Sequence, residues 1–218
     1  MAAEPPDQPN ANPAGRSNDA EPPGRIFLLR HGETEWSATG RHTGATDIGL
    51  TDAGRRAAAR ARAGLAALRG TEPPAHVLSS PRTRARDTAA GAGLTVDRVD
   101  GRLAEWDYGA HEGLTTPQIR ETLPGWTVWD GPWPGGETPD DVGARADAVL
   151  TEARRLIGDG DVVLVGHGHF SRVLTVRWIG LPPAAGVHVK LDPAGVTVLG
   201  FERGVPRLDH VNCPPPQE

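Results

Sequence analysis

The chain has 218 residues, 37% of them hydrophobic, and a formal net charge of -5. That length suits one domain with tails, and the acidic balance excludes a general attraction to nucleic acid or anionic membrane. A lone cysteine, Cys213, excludes an internal disulfide; no Cys/His spacing suits zinc, and no stretch approaches the ~18 apolar residues that span a bilayer.

Residues 1–24 hold six prolines and no Val, Ile, Leu or aromatic residue. Such a segment cannot bury enough apolar surface to offset its ordering entropy, so a disordered tail is expected there. It also lacks the basic start and apolar core of a signal peptide, which makes the cytoplasm the default location. The end, residues 212–218, reads as a second tail, leaving one domain over residues 25–211.

Within that domain "RIFLLRHG" (25–32) is a short apolar run ending in Arg30 and His31. "LTDAGRRAAARARAGLAALRG" then predicts a helix capped by Thr51, with Ala57, Ala61, Leu65 and Leu68 on one face and Gly70 as its stop. "AHVLSS" (75–80) is a second apolar run, followed by a helical pattern with Pro81 at its first position. "TPDDVGARADAVLTEARRLIG" starts at a Thr138 cap with two acids in the first turn and buries Val142, Ala146, Val149 and Ala153. "DVVLVGHGH" (161–169) leads into another helix, and "GVTVLGFERGVPRLDHV" reads as a hairpin at an antiparallel edge.

Runs apolar on both faces suit strands of a covered parallel sheet, so the expectation is α/β: a three-layer α/β/α sandwich, mostly parallel, flanked by helices. Ligands of such sheets bind beyond the carboxyl ends of the strands, where Arg30–His31, Ser79–Ser80 and His167 all fall. A neutral imidazole attacks phosphorus, and arginine forks match phosphate oxygens, so Arg30, Arg84, His31 and His167 make a metal-free phosphate pocket. A carboxylic acid must protonate the leaving oxygen; "LAEWDYGAHEG" (103–113) offers Glu105, with Asp107 and Glu112 as alternatives.

"LLRHGETEW", "SSPRTRARDTA", "LAEWDYGAHEGLT" and "VGHGHFSR" resemble, in order, the four blocks of the histidine phosphatase superfamily, the phosphoglycerate-mutase-like enzymes. The resemblance implies His31 as the phosphorylated nucleophile, Arg30 as its phosphate-binding neighbour, Glu105 as acid and base, and His167 as the second histidine. The register of Ser80, Ala85 and Thr88–Ala89 selects Arg84 over Arg82 and Arg86 as the phosphate arginine. Thr43 and Gly44 fall where phosphate contacts are made, and Ser37 stands where the family often has Asn. His169 replaces the second glycine of the usual last block and either tunes the pocket or caps the following helix. Glu33 is expected as a structural partner of an arginine.

The third block is similar to bacterial acid phosphatases and sedoheptulose-bisphosphatase-type members. The implied function is a phosphomonoesterase of small phosphorylated metabolites, with no cofactor and no metal, acting as monomer or homodimer. Phosphoglycerate mutase activity and a non-catalytic phosphoester-binding module are the alternatives. Trp126, Trp129 and Trp133 are expected to wall a small cap over the site.

Overall fold

The computed structural model describes residues 21–217. Its elements in chain order are β1 (Ile26–Arg30), α1 (Glu35–Ala38), α2 (Asp52–Arg69), β2 (His76–Ser79), α3 (Thr83–Gly91), β3 (Arg98–Val99), α4 (Thr116–Thr122), α5 (Pro139–Leu156), β4 (Val162–Gly166), α6 (Gly168–Trp178), β5 (Val196–Glu202) and β6 (Val205–Cys213). The tail expected over residues 1–24 lies, up to residue 20, outside the described residues.

The strands form one sheet in the order β3-β2-β4-β1-β5-β6. β1, β2, β3 and β4 pair in parallel, while β5 runs antiparallel to both β1 and β6, so the sheet is parallel with an antiparallel hairpin edge as expected. Alternation along β1 divides the core. Ile26 and Leu28 join Val142, Val149, Phe170 and Trp178 from α5 and α6 on one face. Phe27 and Leu29 join Ala61, Leu65, Ala85 and Ala89 from α2 and α3 on the other. The first four of the five β1 residues are fully buried, which is why the run shows no polar alternation.

The caps follow local chemistry. Thr51 Oγ1 accepts from Gly54 N at 3.0 Å, and Thr138 with Asp141 makes a capping box at the start of α5. The buried stripe of α2 is Gly54, Ala58, Ala61 and Leu65, a slight rotation from the expected face that leaves Ala57 and Leu68 half-buried. Pro81 is not the first residue of α3: Arg82 is the N-cap, and Asp47 from a distant loop binds Thr83 N and Oγ1, both at 2.8 Å. Glu33 partners Thr51 Oγ1 at 2.8 Å rather than an arginine. β6 runs through Asn212 and Cys213, which composition alone assigns to the tail, because Val196 pairs with Cys213.

Candidate active site

β1, β4 and β2 end side by side; His31 after β1 lines a cavity there, while His167 after β4 and Ser80 after β2 are fully buried next to it and do not line it. His31 follows β1 and is held by its backbone N–H to Gly166 O of β4 at 2.9 Å. Its Nδ1 lies 2.6 Å from Gly32 O, so Nδ1 carries the proton and donates it, leaving the Nε2 lone pair free. Gly32 N donates to Thr88 Oγ1 of α3 at 2.9 Å, which fixes the turn behind the imidazole. Burial, then the charges of Arg30 and Arg84, hold the His31 pKa well below the ordinary histidine value. The ring is therefore neutral and nucleophilic at neutral pH.

His167, the N-cap residue of α6, stands edge-on to His31 with ring centroids 5.2 Å apart. Its Nε2 lies 2.7 Å from Ser80 Oγ at the end of β2. Ser80 Oγ accepts from Arg82 N at 3.3 Å, and its own proton has no acceptor but His167 Nε2 among the described residues, which assigns the imidazole proton to Nδ1. Burial, then the nearby His31 and arginines, keep His167 neutral as well.

Three buried nitrogens near these rings have no hydrogen-bond partner among the described residues: Arg30 Nε, Arg84 Nε and His167 Nδ1. Arginine Nε atoms without a hydrogen-bond partner occur elsewhere too, at Arg69 and Arg82, but Arg30 and Arg84 are the pair whose charges act on both neutral imidazoles, and buried donors placed there make a cradle for an anion. Arg30 is anchored through Nη1 to Leu191 O, and Arg84 through its Nη atoms to Thr46 O (2.8 Å) and Thr43 O (2.9 Å). Arg84 is fully buried and Arg86 is exposed, which separates the two candidates in that helix. Arg82 is partly buried, and its Nε also lacks a partner.

Glu105 is 7% exposed and lines the cavity, whereas Asp107 is exposed and binds Gly109 N at 2.9 Å. The Glu105 carboxylate accepts from Trp106 N (2.9 Å), His169 N (3.0 Å) and Phe170 N (2.8 Å). The last two are free amides in the first turn of α6, so the helix N-terminus holds the carboxylate beside the anion cradle.

The cavity measures about 270 Å³ and is lined by Arg30, His31, Ser37, Thr43, Glu105, Tyr108, His169 and Arg172 among others. A larger cleft of about 460 Å³ between α2 and Leu94–Asp97 contains no histidine, so size alone does not locate the chemistry. Ser37 reaches the cavity, but its hydroxyl donates to Thr34 O at 3.1 Å within the α1 capping box. Thr43 also lines it. Gly44 does not: its N–H, expected to face phosphate, is turned to Glu112 at 2.9 Å because a carboxylate there competes for it. His169 is no cap; it sits in the first turn of α6, its Nδ1 hydrogen-bonded with Tyr108 OH at 2.6 Å. Trp126 and Trp129 stand behind the lining, edge-on to His42 and His169, instead of walling the cavity.

The sequence places Ser80 at a ligand-binding strand end and uses Thr88 only for register; the bonds of Ser80 to His167 and of Thr88 to the turn behind His31 are not legible there. A Ser-Ser pair closing a buried strand was the available signal for Ser80; nothing local marks Arg172, which stacks on Trp129 at 4.7 Å.

An anion cradle at the carboxyl ends of parallel strands, beside a neutral imidazole and a carboxylate, defines an α/β enzyme of phosphoryl-transfer type. The chain belongs to the histidine phosphatase superfamily, branch 1, whose family model matches residues 26–214. It is 50% identical over 184 residues to an acid phosphatase of Mycobacterium tuberculosis, covering 84% of this chain and 90% of that protein. A sedoheptulose 1,7-bisphosphatase of Saccharomyces cerevisiae is 31% identical, with 72% and 68% of the two chains covered. A solved structure of an open reading frame product from Mycobacterium tuberculosis superposes with a TM-score of 0.83 at 48% identity, covering 88% of this chain and 98% of that one. No helix among the described residues is long and apolar enough to cross a membrane.

Proposed function

We propose that the chain is a phosphomonoester hydrolase of small phosphorylated metabolites, working through a phosphohistidine on His31. The observation that carries the reading is the set of unsatisfied buried donors, Arg30 Nε, Arg84 Nε and His167 Nδ1, beside the free Nε2 of His31. The substrate phosphate takes those donors. His31 Nε2 attacks phosphorus in line, the P–O ester bond breaks, and Glu105 protonates the departing alcohol. Water then attacks the phosphohistidine, giving its proton to Glu105 and releasing inorganic phosphate. The rings of His31 and His167 add no positive charge to repel a proton donor, while the arginines carry the charge that phosphate needs.

A cavity of about 270 Å³ suits a metabolite the size of a sugar phosphate. The names of the acid phosphatase and the bisphosphatase relatives support that substrate class. Cytoplasmic location and a monomeric or homodimeric state belong to the same proposal, and fractionation and size-exclusion chromatography test them.

The deciding experiment measures phosphate release from sugar phosphates, bisphosphates and aryl phosphates, with and without EDTA, for the wild type and His31→Ala. Release that survives EDTA and disappears in the variant is expected, with an acid-labile phosphoenzyme trapped from the wild type only. A fully active His31→Ala protein would overturn the reading.

A further inference from the structure

Glu112 is the one acid of its block that neither lines the cavity nor faces solvent freely, and the mechanism above does not use it. Its carboxylate faces the loop 43–46: Oε1 accepts from Gly44 N (3.0 Å) and Thr46 N (2.9 Å), and Oε2 from Gly44 N (2.9 Å). The carbonyls of the same loop point the other way, to Arg84: Nη1 donates to Thr46 O (2.8 Å) and Nη2 to Thr43 O (2.9 Å) and Gly44 O (3.3 Å).

The peptide group linking Thr43 to Gly44 thus has its N–H on a carboxylate and its C=O on a guanidinium. Both charges polarise it in the same sense, so the two charge-assisted bonds reinforce one another. Because the peptide is planar and trans, moving its N–H moves its C=O. Only glycine fits the middle of this relay: a Cβ on Gly44 would stand 2.5 Å from Trp106 O and 2.9 Å from Glu112 Oε2. The segment carrying Glu112 is itself pinned to the loop, Gly113 N donating to His42 O (2.8 Å) and His42 N to Leu114 O (2.9 Å).

We infer that Glu112 is a positioning residue of the phosphate site, aiming Arg84 through the loop 43–46. This rests on the reading of Arg84 as a phosphate ligand, and it leaves Glu105 as the proton donor. With Nη1 and Nη2 bound to the loop carbonyls, Nε is the guanidinium nitrogen of Arg84 left without a partner among the described residues, and its N–H is assigned to phosphate. A shift of the loop would rotate that N–H away.

The test is the dissociation constant for inorganic phosphate, read by titration calorimetry, in wild type, Glu112→Gln, Arg84→Met and the double variant. In Glu112→Gln one carboxamide N–H₂ meets the Gly44 N–H, donor against donor, so phosphate affinity falls about tenfold or more. In the Arg84→Met background the same change adds less than about twofold, because it acts only through Arg84. Unchanged phosphate affinity in Glu112→Gln, or an equal loss in both backgrounds, overturns the inference. If Glu112→Gln does not fold by circular dichroism, Glu112→Asp, which withdraws the carboxylate by one methylene, carries the same pair of measurements. Phosphate binding is read without turnover, so failure of the hydrolytic proposal and failure of this one are separate results.

Discussion

The 2.7 Å hydrogen bond between Ser80 Oγ and His167 Nε2 decides which nitrogen of His167 carries the proton. With the bond in place Nδ1–H is left without a partner among the described residues, available to an anion held by Arg30 and Arg84. Without it the two tautomers of a neutral imidazole compete, and part of the population offers phosphate a lone pair. Ser80→Ala is therefore expected to lower kcat/KM about tenfold, the worth of one lost hydrogen bond. Steady-state kinetics measure the loss, and ¹⁵N shifts of the His167 ring report the tautomer mixture. Unchanged activity with the ring still protonated on Nδ1 would show that Ser80 has no such role.

The three arginines of "PRTRARD" should rank by burial and reach. Arg84→Met, which removes a fully buried guanidinium from the cradle, is expected to cost about a thousandfold in kcat/KM, as loss of a preorganised charged donor does. Arg82 sits close enough to act on both His167 and Arg84 by its charge, so Arg82→Met should cost about tenfold. Arg86 is exposed, and Arg86→Met should stay within about twofold. An order with Arg86 at the top would refute the site as described.

How much of this was legible beforehand follows from where the information lies. The fold was readable at β1 because four consecutive fully buried residues, Ile26 to Leu29, leave no doubt about a covered strand. The caps at Thr51 and Thr138 are local chemistry and were readable too. Arg30, His31 and His167 announce themselves as polar residues closing apolar runs. Ser80 also closes an apolar run, but its partner His167 lies 87 residues away, and Thr88 and Glu112 likewise act on backbone amides 56 and 68 residues away, so no local pattern reveals what they do. The Gly44 error has the same origin: a glycine signals a close backbone approach, but not to which neighbour. Nor could the helical period place Ala58 ahead of Ala57, since alanine at both positions carries no phase.

Stability should fall in acid because several histidines are buried neutral. His42 is held down to about 4, chiefly by burial and then by the nearby His111, with Glu112 opposing. His31, His167 and His169 are also depressed, each mainly by burial. A depressed folded pKa means the unfolded chain binds protons that the folded one refuses, so stability is fully present above about pH 6.5 and drains as pH falls towards the folded value. For His42 that window runs from about 6.5 to about 4. His42→Gln should flatten the pH dependence there by about 1.4 kcal/mol per pH unit, one proton's worth. Denaturant unfolding at pH 7, 6 and 5 checks it; parallel curves for wild type and variant would count against a neutral buried His42.

Gly168 offers a test in which stability and activity are expected to part. It is the first residue of α6, and a Cβ built there would stand 3.3 Å from Arg30 Cζ and 3.3 Å from Arg30 Nε. The obstruction is a side chain, so the fold can accommodate it by moving the guanidinium a few tenths of an ångström. Arg30 is tied by Nη1 to Leu191 O, however, and its Nε is one of the three donors of the cradle. The displacement thus falls on the atom that meets phosphate. Meanwhile alanine is the better helix residue by up to about 1 kcal/mol, which offsets the local crowding. Gly168→Ala should therefore leave the unfolding midpoint nearly unchanged while raising KM and the inhibition constant for inorganic phosphate about tenfold. Matched thermal unfolding and phosphate inhibition measurements decide it. A variant that loses stability and activity in proportion would mean that Gly168 serves packing, whereas one with wild-type phosphate inhibition would mean that Arg30 Nε does not bind the anion.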